Sequence, residues 1–166
     1  DIRPSRGLGD VYKRQDYEYD KNLLTRECSD MNGYEPFVDP QTGKVIDKWL
    51  IKRDVTGYGK MITEEFEKRL DVSIRPRFYI QERGFTLPYH RDRGTTCAIN
   101  FVLSTSRDPI SFRMSYNSFH FKYKTAIVDV TQEHMVTATT EDRHLFKLSI
   151  FDKSFDEILE TYDKTR

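Results

Sequence analysis

Apolar residues recur along this chain with two different periods. Between Tyr58 and Leu70 they fall at Tyr58, Ile62, Phe66 and Leu70, every fourth position, which lines one face of a helix. Glu64 with Lys68 and Glu65 with Arg69 add oppositely charged i,i+4 pairs on the other faces. The pattern predicts an amphipathic helix packed on a sheet. After Pro76 the apolar residues gather into short runs bounded by turn residues, at 77–81, 98–104, 110–113, 120–122, 126–130 and 145–151. Many short strands at such spacing predict a β-sandwich or barrel. Near the end, Ser154 and Glu157 have the spacing of a capping box. Phe155, Ile158, Leu159 and Tyr162 share a stripe behind it, so a short closing helix is expected.

The first third is less regular. Asp39-Pro40-Gln41-Thr42-Gly43 has the composition of a turn, and residues 44–54 mix Val, Ile and Trp with charges. A hairpin, or a strand entering the main sheet, is expected there. Trp49 reads as a core anchor, with substrate stacking as its alternative. Residues 16–41 are rich in acidic, Asn and Gly residues with scattered aromatic and leucine anchors, and predict a partly ordered extension. Residues 1–15, DIRPSRGLGDVYKRQ, show no apolar periodicity and predict no structure. They resemble translated sequencing adapters found at the ends of assembled environmental reading frames. The native chain is therefore expected to begin near Asp16, with an upstream truncation left open.

With 166 residues and 37% hydrophobic content, one domain with one core is expected over 16–166. Lys+Arg and Asp+Glu balance at 27 each, so no global field favours duplex nucleic acid or an anionic membrane. Two cysteines, Cys28 and Cys97, make no disulfide framework and suit a reducing compartment. No apolar run is long enough to span a bilayer. A cytoplasmic protein, in a bacterial or phage-infected host cytosol, is the expectation.

The candidate chemistry centres on Tyr89 to Ser104, YHRDRGTTCAINFVLS. In an extended segment His90 and Asp92 share a face while Arg91 points away. His134, at the end of an apolar run, can supply a third ligand. Two histidines and one carboxylate make a facial triad with coordination positions left open, which suits non-haem Fe(II). His-x-Asp, a distal His and a basic residue about nine to thirteen positions further on resemble the 2-oxoglutarate/Fe(II)-dependent dioxygenase superfamily. In this chain the four are His90, Asp92, His134 and then Arg143 or Lys147. The likeness spans roughly residues 75–153 and looks closest to small single-domain, prolyl-hydroxylase-like members from phages and marine bacteria.

The resemblance implies a double-stranded β-helix, a jelly-roll core, flanked by the amphipathic helix and the closing helix. It implies Fe(II) on His90, Asp92 and His134, 2-oxoglutarate as cosubstrate, and ascorbate as a supporting reductant. The activity implied is hydroxylation of an unidentified substrate, a peptidyl side chain or a small molecule, with release of succinate and carbon dioxide. Strand alternation puts Arg143, Leu145, Lys147 and Ser149 on one face of the last strand. Buried cations need an anionic partner, and the far carboxylate of the cosubstrate would serve. Arg143 has the family spacing, Lys147 with Ser149 resembles the family's basic-x-Ser variant, and the choice stays open. Tyr79 resembles the phenol that bonds the same carboxylate, and a core aromatic is its other reading. Ser149 stands where nucleobase-repair members carry a second Arg, which counts against that branch. His120 and His144 read as packing or surface residues. The rival class is a cupin-like or viral structural jelly roll without oxygenase activity, and separation of the three ligands in the fold would favour it.

Overall fold

The computed structural model describes residues 11–15, 17–105, 109–114 and 117–165. In chain order its elements are β1 (Tyr12–Arg14), α1 (Lys21–Ser29), β2 (Tyr34–Val38), β3 (Val45–Lys52), α2 (Tyr58–Leu70), β4 (Ile74–Gln81), β5 (Leu87–His90), β6 (Cys97–Val102), β7 (Ile110–Met114), β8 (Asn117–Phe121), β9 (Thr125–Val128), β10 (His134–Val136), β11 (Arg143–Ile150) and α3 (Phe155–Lys164). All the pairings are antiparallel. They build a seven-stranded sheet, β1-β9-β6-β11-β4-β3-β2, and a four-stranded sheet, β5-β10-β7-β8. The expected double-stranded β-helix is the fold observed.

Side-chain alternation in the large sheet divides the core in two. Phe78, Ile99, Phe101, Ile127, Phe146 and Leu148 point to one face, where they pack with Leu24 of α1, Ile62, Phe66 and Leu70 of α2, and Phe155 and Ile158 of α3. Tyr79, Ala98, Val102, Ala126, Val128 and Leu145 point to the other and meet Ile110, Phe112, Phe121 and Val136 of the small sheet. One face of the large sheet thus carries the helices while the other closes over a cavity.

α2 has the bounds its apolar stripe predicts, but its N-terminus is capped from outside. Gly57 at the N-cap has no side chain to offer. Glu27, from α1, accepts instead from the backbone N–H groups of Tyr58 at 2.6 Å and Gly59 at 2.9 Å. Gly57 allows this close approach, because a Cβ there would lie 2.6 Å from Glu27 Oε2, and Gly59 lets the helix start pack against Val55 Cγ1 and the Phe146 ring, which a Cβ would meet at 2.8 and 3.2 Å. The capping box of α3 forms as expected, with Ser154 and Glu157 each bonding the other's backbone.

Two expectations for the first third are corrected. In place of the partly ordered extension expected over 16–41, residues 17–41 hold a helix and a strand. Asp20 caps α1 by accepting from Asn22 and Leu23, and Leu24 and Cys28, one turn apart, are its buried face. At the other end the buried Lys52 ammonium donates to the carbonyls of Glu27 and Asp30, placing a cation where a helix C-terminus favours one. β2 then forms the expected hairpin with β3, as the edge strand, with Pro36 at a shift of register. The second correction concerns residues 11–15, which form structure. β1 pairs with β9, Tyr12 opposite Val128 and Arg14 opposite Ala126, and Val11 is fully buried. An edge strand of three residues needs little periodicity of its own, because the backbone of β9 supplies its partners. Residues 1–10 lie outside the described part. Both cysteines are buried free thiols, and burial pushes Cys28 up to about 11. Among the described residues no helix is long and apolar enough to cross a membrane.

Glu27→Ala should lower stability by about 1–2 kcal/mol, since two N–H groups of α2 lose their acceptor. A urea unfolding midpoint equal to that of the wild type would show that water satisfies these groups equally well.

Candidate active site

The register of the small sheet assembles the centre of the cavity. β10 lies between β5 and β7, and His134 stands directly opposite His90 on one side and Phe112 on the other. The two imidazoles are therefore cross-strand neighbours, with ring centroids 4.4 Å apart. Asp92 lies two residues past His90, where its backbone N–H bonds the carbonyl of Val130 at 3.1 Å. Its Oδ1 is 3.2 Å from His90 Nε2 and 3.3 Å from His134 Nε2. The three ligand atoms all lie within 4.8 Å of one another.

The second nitrogen of each ring determines what this cluster can hold. His90 Nδ1 is 2.7 Å from the carbonyl of Pro88 and His134 Nδ1 is 2.8 Å from that of Gln132. A carbonyl only accepts, so each Nδ1–H donates there and each Nε2 is left facing Asp92 Oδ1. Two ring nitrogens and a carboxylate oxygen thus converge, an arrangement that suits a cation. Backbone carbonyls that fix the tautomer in this way are the usual outer partners of metal-binding histidines. Two His nitrogens and one carboxylate oxygen suit a divalent transition metal with open positions.

Asp92 Oδ2 is taken up by an ion pair with the Lys147 ammonium, reaching across from the large sheet. Burial alone would push the Asp92 carboxyl up. Lys147, with His134 and His90, outweighs burial and holds it well below the usual carboxylate range. Burial likewise works against the charge on Lys147, and the Asp92 partner raises it above its ordinary value.

A cavity of about 930 Å³ opens between the sheets around this cluster. Arg143, Leu145, Lys147 and Ser149 all line it, as the alternation of β11 predicts. Arg143 is 1% exposed and has no carboxylate partner among the described residues. Its Nη2 donates to the Tyr123 hydroxyl at 3.4 Å, and its Nε has no hydrogen-bond partner among the described residues. Asn100 Nδ2 donates to the same hydroxyl at 3.0 Å, while its own Oδ1 likewise has none among them. A buried guanidinium with an unpartnered Nε–H and no counter-charge among the described residues is costly unless an anion lies against it.

Tyr79 lines the cavity opposite Leu145, stacked on Trp49 with centroids 4.9 Å apart and with Lys147 Nζ 5.9 Å from its ring centre. The phenol bonded to Arg143 is that of Tyr123. Ser149 lies on the wall opposite Arg75. Trp49 is 7% exposed and is both core anchor and cavity wall. His120 bonds Ser111 Oγ at 2.7 Å, and His144 has its value lowered by burial on the far face of β11; neither is among the lining residues. Asn100 and Tyr123 were missed from the sequence. For Asn100 there was a signal, a lone amide inside the otherwise apolar run CAINFV.

A double-stranded β-helix with two histidines and an aspartate at the opening between its sheets has the architecture of the 2-oxoglutarate/Fe(II) oxygenase fold. Solved structures of that class resemble the chain over most of its length. A prolyl-4-hydroxylase from Pseudomonas putida superposes with a TM-score of 0.66 at 11% identity, covering 86% of this chain and 93% of that one. A 2OG-Fe(II) oxygenase family oxidoreductase from Burkholderia pseudomallei gives 0.59 at 12%, covering 80% and 79%. The epimerase SnoN, in complex with Fe3+, alpha ketoglutarate and nogalamycin RO, gives 0.57 at 9%, covering 80% and 74%. At these identities the likeness is one of fold. No family model and no curated protein matches the sequence.

Anaerobic Fe(II), or Mn(II) in its place, should raise the unfolding temperature of the wild type. At a hundredfold excess over Kd the gain is about 2.7 kcal/mol. Asp92→Asn, which keeps the shape and loses the charge, should show little of this shift; an equal shift in both proteins would place the ion elsewhere.

Proposed function

We propose that the protein is an Fe(II)- and 2-oxoglutarate-dependent oxygenase that hydroxylates a peptidyl side chain or a small molecule and releases succinate and carbon dioxide. The observation that carries this reading is the buried, unpaired Arg143 on the wall of the same cavity as His90, Asp92 and His134. A metal cluster alone suits many proteins. A metal cluster with a separate interior cation suits a cosubstrate that chelates at one end and carries a carboxylate at the other.

His90, Asp92 and His134 would hold the metal. When bound, the iron supplies the redox chemistry that couples dioxygen and 2-oxoglutarate to oxidation of a C–H bond. Lys147 fixes the outer oxygen of Asp92, so that Oδ1 faces the two imidazoles. Because that ammonium is already paired, Arg143 takes the far carboxylate of 2-oxoglutarate, in a fork that accepts two parallel hydrogen bonds. Tyr123 and Asn100 hold the guanidinium in place, and the unpartnered Asn100 Oδ1 remains for a donor or a water. Tyr79 and Ser149 complete the wall and keep bulk water from the cosubstrate.

Purified protein given Fe(II), 2-oxoglutarate, ascorbate and dioxygen should form succinate, and Asp92→Ala should abolish this. Arg143→Ala should still bind iron while needing about 10 to 100 times more 2-oxoglutarate, the loss of one charged hydrogen-bonding pair of roughly 1.5–3 kcal/mol. Succinate no higher than the Asp92→Ala background would leave a binding jelly roll as the better description. An unchanged cosubstrate requirement in Arg143→Ala would move the carboxylate to Lys147.

A further inference from the structure

We propose, resting on the oxygenase reading of this cavity, that its substrate is a small molecule bearing a phosphate monoester or an equivalent dianion, held at the mouth by Arg53, Arg75 and Arg77. The chain as a whole is neutral, yet seven Lys and Arg side chains line the cavity against three carboxylates. One of those carboxylates, Asp92, is already committed to Lys147.

The excess is built into the sheet. On β11 and β4, Lys147 stands directly opposite Arg77, and Ser149 opposite Arg75. β3 pairs with β4 through Lys52 and Phe78, so the next residue, Arg53, falls beside Arg77. Three adjacent strands thus carry a row of like charges on one face, an arrangement that destabilises a sheet unless something anionic lies against it. Little within the protein does. Arg53 has Glu35, out in solvent. The Arg75 guanidinium lies 4.4 Å from the centre of the Phe151 ring, and Arg77 donates to the carbonyl of Pro76 at 2.7 Å. Among the described residues neither Arg75 nor Arg77 has a carboxylate partner, and the same holds for Arg91 and Arg93 on the loop that carries Asp92. Burial pushes Arg77 below its ordinary value, and Arg53 and Arg75 push the same way against Tyr79.

The cosubstrate cannot be the guest of this row. Arg143 and Ser149 are six residues apart on one strand, roughly 20 Å at about 3.3 Å per residue. A five-carbon diacid anchored at Arg143 and chelating at the level of Asp92 and Lys147 stops well short of Arg75. The mouth cations are left for the second reactant. Guanidiniums set side by side on adjacent strands suit the three terminal oxygens of a phosphate better than a single carboxylate, which one bidentate fork satisfies. A nucleic-acid strand fits less well, because the cavity's stacked aromatics, Trp49 and Tyr79, are only 7% and 9% exposed and offer no free face for a base.

Trp49 is the chain's one tryptophan and lies on the cavity wall, so its fluorescence reports occupancy. The full chain, without iron, is titrated at constant ionic strength with inorganic pyrophosphate, and separately with hexaglutamate and oligo-dT. Pyrophosphate should saturate the signal, the Arg75→Gln/Arg77→Gln double variant should bind it at least tenfold more weakly, and binding should survive in Arg143→Gln. Arg77→Lys, which keeps the charge and loses the fork, should weaken binding to an intermediate degree, and it decides the matter if the double variant fails to fold. Absence of saturation, loss in Arg143→Gln but not at the mouth, or tighter binding of hexaglutamate or oligo-dT than of pyrophosphate would each overturn the proposal. Neither iron nor dioxygen enters this measurement, so it can fail while succinate formation succeeds, and the reverse.

Discussion

A carboxylate from one sheet and an ammonium from the other meet in the interior of this protein, and the site depends on that pair. Asp92 follows β5 of the small sheet, and Lys147 lies midway along β11 of the large one. Removing both charges from water costs several kcal/mol per ion, so the pair is poor evidence for stability. What it provides is position. A carboxylate free to turn would present either oxygen to a metal, whereas one whose Oδ2 is held by Lys147 turns Oδ1 toward the two imidazoles. The same interaction ties the small sheet's loop to the large sheet, through a polar group on a strand whose opposite face carries Phe146, Leu148 and Ile150.

That opposite face explains how β11 tolerates such a load. Phe146, Leu148 and Ile150 pack under the helices, while Arg143, Lys147 and Ser149 look into the cavity. The apolar half secures the strand between β4 and β6, and the polar half is then free to be selected for chemistry. A strict period of two lets one strand serve both ends, and a slip of one residue would bury the cations under the helices.

The same periodicity explains what could be read from the sequence. The stripe of α2 repeats for four positions, so both of its ends were legible, and the facing set on β11 followed from counting. α1 has only Leu24 and Cys28 as its buried stripe, one turn, and a single turn does not stand out among acidic and Asn residues. β1 was illegible for a different reason: its pairing partners belong to β9, far along the chain. The triad could be named because strand termini and ligand residue types coincide at His90 and His134. The partners of Arg143 could not. Tyr123 lies in the connection between β8 and β9, where nothing local ties it to an arginine twenty residues later.

Net charge was the least informative sequence quantity, and the reason is geometric. Equal numbers of acids and bases exclude a long-range field, since at physiological salt charges further apart than about 8 Å are largely screened. Within that distance placement decides everything. Glu64 and Glu65 of α2 and the carboxylates of α3 face solvent, while Arg75 and Arg77 of β4, Arg53 just past β3 and Lys147 of β11 fall on one face of three adjacent strands because their parities match across the register. Low-dielectric walls then concentrate the potential inside the cleft, where it acts on whatever enters. A neutral chain can therefore hold a strongly cationic cavity, and the parity of a few arginines along their strands says more about its guest than the sum of all its charges.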